Sequence, residues 1–66
     1  MKDLEPRDEL VTHLPALRAF ALSLTRNGAT ADDMVQDTVV KAWTNMDKFQ
    51  RNTNMRAWLF TILRNT

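Results

Sequence analysis

Two short stretches hold the residues whose types and spacing could do chemistry. The first is Thr30-Ala31-Asp32-Asp33-Met34-Val35-Gln36-Asp37, three carboxylates within six positions. The second is Gln50-Arg51-Asn52-Thr53-Asn54, a cation among amides and a hydroxyl, with Phe49 before it and Trp58 after it. On a helix, Asp33 and Asp37 are like charges one turn apart, a pairing that costs a few tenths of a kcal/mol and that a basic partner would relieve. Structural duties would explain them equally well, Asp33 at a helix start and Asp37 paired with Lys41. Side-chain amides both donate and accept, so Asn52 and Asn54 suit the edge of an unpaired base. Aromatic rings add stacking worth roughly 1–3 kcal/mol per base, comparable to the few kcal/mol that extruding a base costs. The plainer alternative makes Phe49 and Trp58 core and the amides a polar turn.

Enzymatic chemistry finds little support. His13 is the single histidine, there is no cysteine, and the chain has one glycine. No carboxylate or histidine cluster has metal-ligand spacing, and no glycine-rich loop could cradle a phosphate. We therefore expect a non-enzyme without metal or cofactor.

Stepping outward, 66 residues allow at most one small domain. The absence of cysteine rules out a disulfide framework. No apolar run approaches the roughly 20 residues needed to cross a bilayer, and MKDLEPRDEL lacks a signal-peptide core. A cytoplasmic protein is the expectation. The formal net charge of +1 hides an uneven split: residues 1–40 sum to −3 and residues 41–66 to +4. The second part could face phosphates and the first would repel them.

The elements that must position these residues read as an all-α fold of three helices. Leu10, Leu14, Leu17, Ala21 and Leu24 recur at helical spacing, with Val11 and Phe20 widening the stripe. This first helical stretch should run from about 7 to 26, as a short helix to about His13, a kink or restart at Pro15 and a longer helix to Arg26, with residues 1–7 as a tail. Gly28 should supply its left-handed cap. The second helix should start at Thr30 in a capping-box-like TADD and fade near Asp47. Val35, Val39, Ala42 and Met46 form its stripe; Asp33, Gln36, Asp37 and Val40 share its exposed side. The third helix should have Thr53 as N-cap and bury Met55, Trp58, Leu59 and Ile62. Arg56, Phe60, Thr61, Arg64 and Asn65 then remain outside. Nothing closes this helix, so the chain reads as a fragment of a longer protein.

At this point the residues carry a resemblance. ADDMVQDTVVKAW, then DKF, a polar loop and MRAWLFTILRNT, resembles region 2 of bacterial RNA polymerase sigma factors over about residues 8–66. It is most similar to the extracytoplasmic-function class; HLPALRAFALSLTRN adds a likeness to alphaproteobacterial general-stress sigma factors. The resemblance implies that Asp33, Gln36 and Asp37, flanked by Val40 and Trp43, dock on a coiled coil of the polymerase's largest subunit. It implies that Phe49, Gln50, Arg51, Asn52, Thr53 and Asn54 form a loop pocket for a flipped non-template base of the promoter −10 element. Thr61, Ile62 and Asn65 would lie beneath that pocket, and Lys48, Arg56 and Arg64 would contact phosphates. It further implies an anti-sigma partner, a monomer away from any membrane, and a separate −35-reading domain absent here. One departure stands out. Housekeeping sigma factors carry two adjacent aromatics where this chain has Trp58-Leu59, which weakens the expected melting power. The acidic strip and the basic pocket are expected on opposed surfaces. The competing readings are a sigma mimic that titrates an anti-sigma factor and a generic helical interaction module.

Overall fold

The structure, a computed structural model, describes residues 5–50 and 53–66. Among these residues it contains four α-helices and a 3-10 turn: α1 Pro6–Thr12, α2 Leu14–Thr25, α3 Gly28–Thr44, the turn Met46–Lys48, and α4 Met55–Arg64. The all-α expectation holds, and of the expected kink or restart in the first helical stretch the chain takes the restart, giving two helices. The break falls at His13, where backbone turns before Pro15 restarts the helix in its first turn. Proline fits there because an N-terminal amide has no helical acceptor to lose. Pro6 does the same for α1, so Pro6 and Arg7 belong to a helix rather than to a tail.

The helix boundaries differ from expectation by polar residues acting one or two places away. Arg26, not Gly28, takes the left-handed conformation after α2, with φ 55°. Gly28 opens α3, and a Cβ there would meet only the Arg18 guanidinium at 3.8 Å. Asn27 rather than Thr30 caps α3, its side-chain oxygen accepting from the Thr30 amide at 3.0 Å. Asn54 rather than Thr53 caps α4, accepting from the Ala57 amide at 3.1 Å. Asparagine is among the strongest N-caps and outranks threonine slightly.

Two buried clusters hold the helices together. Leu10, Leu17, Ala42, Met46, Phe49, Met55 and Leu59 form the larger; Ala21, Ala31 and Leu63 form the smaller. Ala21, Ala31 and Ala42 are fully buried, and their small side chains let backbones of α2, α3 and α4 approach closely. Leu59 and Leu63, one turn apart on α4, join both clusters. Leu63 escaped the sequence reading, which stopped the buried stripe at Ile62. Two residues of the first expected stripe are solvent-facing: Val11 is 58% exposed and Leu24 52%. At the end of α2 the chain is already turning into α3, and Thr25 occupies the inner side, its hydroxyl donating to the Ala21 carbonyl. Thr38 is the single fully buried polar residue among those described, and its hydroxyl is satisfied by the Met34 carbonyl at 2.8 Å.

Candidate functional site

On α3 the residues Asp33, Gln36, Asp37 and Val40 are all exposed, and Trp43 is 47% exposed. The structural duties that would explain the carboxylates are taken by others or left undone. Because α3 starts at Gly28, its first turn carries no acidic residue and Asp33 lies beyond it. Asp32 pairs across to Arg18 at 2.8 Å. Among the described residues no cation lies within ion-pair distance of Asp33 or Asp37, and Lys41 turns away to a different surface. The strip therefore keeps two unneutralised carboxylates at its start and an apolar end at Val40 and Trp43. A valine and an indole left in water beside paired like charges are what a basic, partly apolar partner would cover.

The second surface is a cleft of about 360 Å³ between the end of α3, the 3-10 turn and α4. Its lining is Lys41, Asn45, Lys48, Trp58, Ile62 and Asn65. That volume is at the lower end of the ~300–1,000 Å³ usual for small-molecule-sized sites, enough for a flat heterocycle. Lys41 at the end of α3, its C-cap Asn45 and Lys48 of the 3-10 turn form one wall; Trp58 and Ile62 of α4 with its C-cap Asn65 form the other. Lys41 and Asn45 have no part in the site expected from sequence, in which Trp58 stands either as core or as a stacking ring. Asn45 directs its amide nitrogen to the Lys41 carbonyl at 2.8 Å, which leaves its oxygen as an acceptor.

The remaining expected binding residues separate into groups. Lys48, Gln50, Thr53, Asn54, Arg56, Thr61, Arg64 and Asn65 are exposed and Ile62 is half-buried. Arg51 and Asn52 lie outside the described residues. Asn54 gives its oxygen to the α4 cap, so it offers a base edge only its amide donors. Phe49 does not form an open wall: it is 9% exposed and packs into the larger cluster, its ring 5.0 Å from Trp58 at a 38° tilt. Trp58 is the aromatic that reaches the cleft while its other side is held by Phe49. Phe60, expected outside, stacks on Phe20 at 4.6 Å with the rings 3° from parallel and so ties α4 to α2.

The two surfaces are neighbours rather than opposites. At about 100° per residue, Lys41 and Asn45 lie roughly a quarter to a third of a turn from the Asp33–Asp37–Val40 strip. His13 bridges the α1–α2 break, its Nε2 3.3 Å from Glu9, and stands apart from both surfaces. No group of three or more His, Asp or Glu among the described residues could hold a metal ion. No helix among them is long and apolar enough to cross a membrane.

An acidic-to-apolar strip and a lysine-and-amide cleft with an indole wall, carried on one small set of helices, define a binding domain. The chain belongs to the Sigma-70 region 2 family, whose model matches residues 10–66. It is 54% identical over 59 residues to the ECF RNA polymerase sigma factor EcfG of Rhodopseudomonas palustris, covering 89% of this chain and 33% of that protein. It is 41% identical over 54 residues to the ECF RNA polymerase sigma factor SigL of Mycobacterium tuberculosis, covering 80% of this chain and 30% of the relative. A solved structure of the sigma factor RpoE in complex with the anti-sigma factor NepR from Bartonella quintana matches with a TM-score of 0.81 and 57% identity, over 88% of this chain and 36% of that one. The chain thus spans about a third of the length of these relatives. Membership of a family of transcription initiation factors agrees with the expectation of a non-enzyme.

Proposed function

We propose that this chain is the part of an extracytoplasmic-function sigma factor that docks on core RNA polymerase and captures the opened −10 element, acting in the cytoplasm. The α3 strip meets the coiled coil of the largest polymerase subunit through Asp33, Gln36, Asp37, Val40 and Trp43. The cleft and the exposed side of α4 receive the non-template single strand. Trp58 stacks a base, Asn65 and Asn45 meet its polar edge, and Lys41, Lys48, Arg56 and Arg64 neutralise phosphates. Gln50, Thr53 and Asn54 border the same strand and Thr61 lies on the α4 side; a part for Arg51 and Asn52 in holding an extruded base is a role that the family resemblance implies. The observation that carries the reading is the base-sized cleft between the end of α3, the 3-10 turn and α4, lined by two lysines, two asparagines and the Trp58 indole. The complex of the Bartonella relative with an anti-sigma factor supports an anti-sigma partner for this chain as well.

Titration with short single-stranded oligonucleotides carrying candidate −10 elements, at stated salt, tests it. Asn65→Ala should flatten the sequence preference, and Arg56→Ala should weaken all sequences by a similar factor. A chain that binds no oligonucleotide yet still binds an anti-sigma factor would instead be a sigma mimic. Reversal of Asp33 and Asp37 to Lys should abolish association with core polymerase while circular dichroism stays helical; undiminished association would remove the strip from the docking surface.

A further inference from the structure

We propose that Arg7 is a positioning residue for polymerase docking: through α1 it sets the indole of Trp43, so that the apolar end of the α3 strip is preformed. This rests on the assignment of that strip to polymerase docking. The Arg7 guanidinium carbon is 4.9 Å from the Trp43 ring centroid, within cation–π range. The same guanidinium lies 3.5 Å from the Trp43 carbonyl. One side chain therefore touches both the ring and the backbone of a single residue, which limits the rotation of that ring.

Arg7 is itself held. Leu10, one turn further along α1, is 1% exposed and packs in the same cluster as Ala42 and Met46 on either side of Trp43. Burial of that leucine seats α1 on the C-terminal end of α3. Arg7 also brings its charge to the carbonyl end of α3, where the helix dipole favours a cation. Asp33 is ten residues back, about 15 Å along the axis, and Asp37 six back, about 9 Å; the first lies beyond the ~8–10 Å screening length and the second at its edge. Arg7 thus orients Trp43 while pairing with neither carboxylate of the strip. It leaves the indole 47% exposed beside Val40 at 63%, an apolar pair still open to a partner. Arg7 lies on the same helix as Leu10, just ahead of the residues 10–66 that the family model matches.

The test is the affinity of the full chain for core RNA polymerase, measured for Arg7→Met, Arg7→Lys, Trp43→Ala and the Arg7→Met/Trp43→Ala pair. Methionine keeps the aliphatic stem and removes the cation. Arg7→Met should weaken binding about two- to fivefold, Arg7→Lys should recover most of the loss, and Arg7→Met should add nothing once Trp43 is alanine. Trp43→Ala without effect would defeat the docking role of Trp43 itself. Weakening by Trp43→Ala with Arg7→Met silent would overturn the positioning role alone. Equal weakening by Arg7→Met with and without the indole would also overturn it, by making Arg7 a direct contact. A loss that merely tracks a lower folded fraction on thermal melting would do the same.

Discussion

Asn54 shows how one side chain can divide two duties. Its oxygen caps α4, and its amide hydrogens remain for a ligand. Asn54→Ala should therefore lower stability by about 1 kcal/mol, as loss of an N-cap does, besides any effect on DNA. Asn54→Asp should keep the cap and the stability while weakening oligonucleotide binding, because it replaces two donors with a charge that repels phosphate. Thermal melts and titrations on both variants separate the duties; equal melting of Asn54→Ala and the parent would contradict the capping role. Arg26 offers the converse case. It holds a positive φ that glycine takes without steric cost, so Arg26→Gly should raise stability by up to about 1 kcal/mol. A lower melting temperature would show that the Arg26 side chain contributes more than its backbone costs.

Among the elements, α4 carries the most. Leu59 and Leu63 join the two buried clusters, and Phe60 stacks on α2. Leu63→Ala should cost about 2–5 kcal/mol. A domain this small has a total stability of order 3–10 kcal/mol, so the variant should be largely unfolded at 37 °C by circular dichroism; a melt within a few degrees of the parent would refute this. The helices themselves were legible because hydrophobic spacing is strong over α2, α3 and α4. Their ends were not. At Asn27 to Thr30 and again at Thr53-Asn54, two good capping residues stand close together, and tertiary packing decides between them. Gly28 misled because a lone glycine after a helix suggests a left-handed cap, whereas the chain turns at Arg26. Within the site, the acidic strip was readable from spacing, but the cleft needed α3 and α4 side by side. Phe49 looked like a pocket wall because spacing cannot show that Trp58 covers it.

For the whole molecule the governing quantity is charge segregation: net −3 over residues 1–40 and +4 over residues 41–66. The structure arranges that segregation into adjacent surfaces on helices that span 38 × 22 × 15 Å. A slab only 15 Å thick is little more than one helix diameter of about 10–12 Å, so a helix that contributes to the core also reaches solvent. On the proposed function, oligonucleotide binding should weaken with salt as phosphate contacts of Lys41, Lys48, Arg56 and Arg64 release counterions. Four contacts to a single strand give a slope of about −3 in log affinity against log salt. Arg56→Ala should make that slope shallower by about 0.7; an unchanged slope would mean that Arg56 touches no phosphate.

The alternation along α4 has a consequence for how such a protein changes over generations. Leu59 and Leu63 face the interior, while Thr61 and Arg64 of the same ten-residue helix, and Asn65 that caps it, are exposed. If the proposed DNA contacts hold, mutations at the outward positions would change which bases are favoured without reworking the scaffold. The inward codons, by contrast, admit only the mildest replacements, because each holds a fully buried side chain.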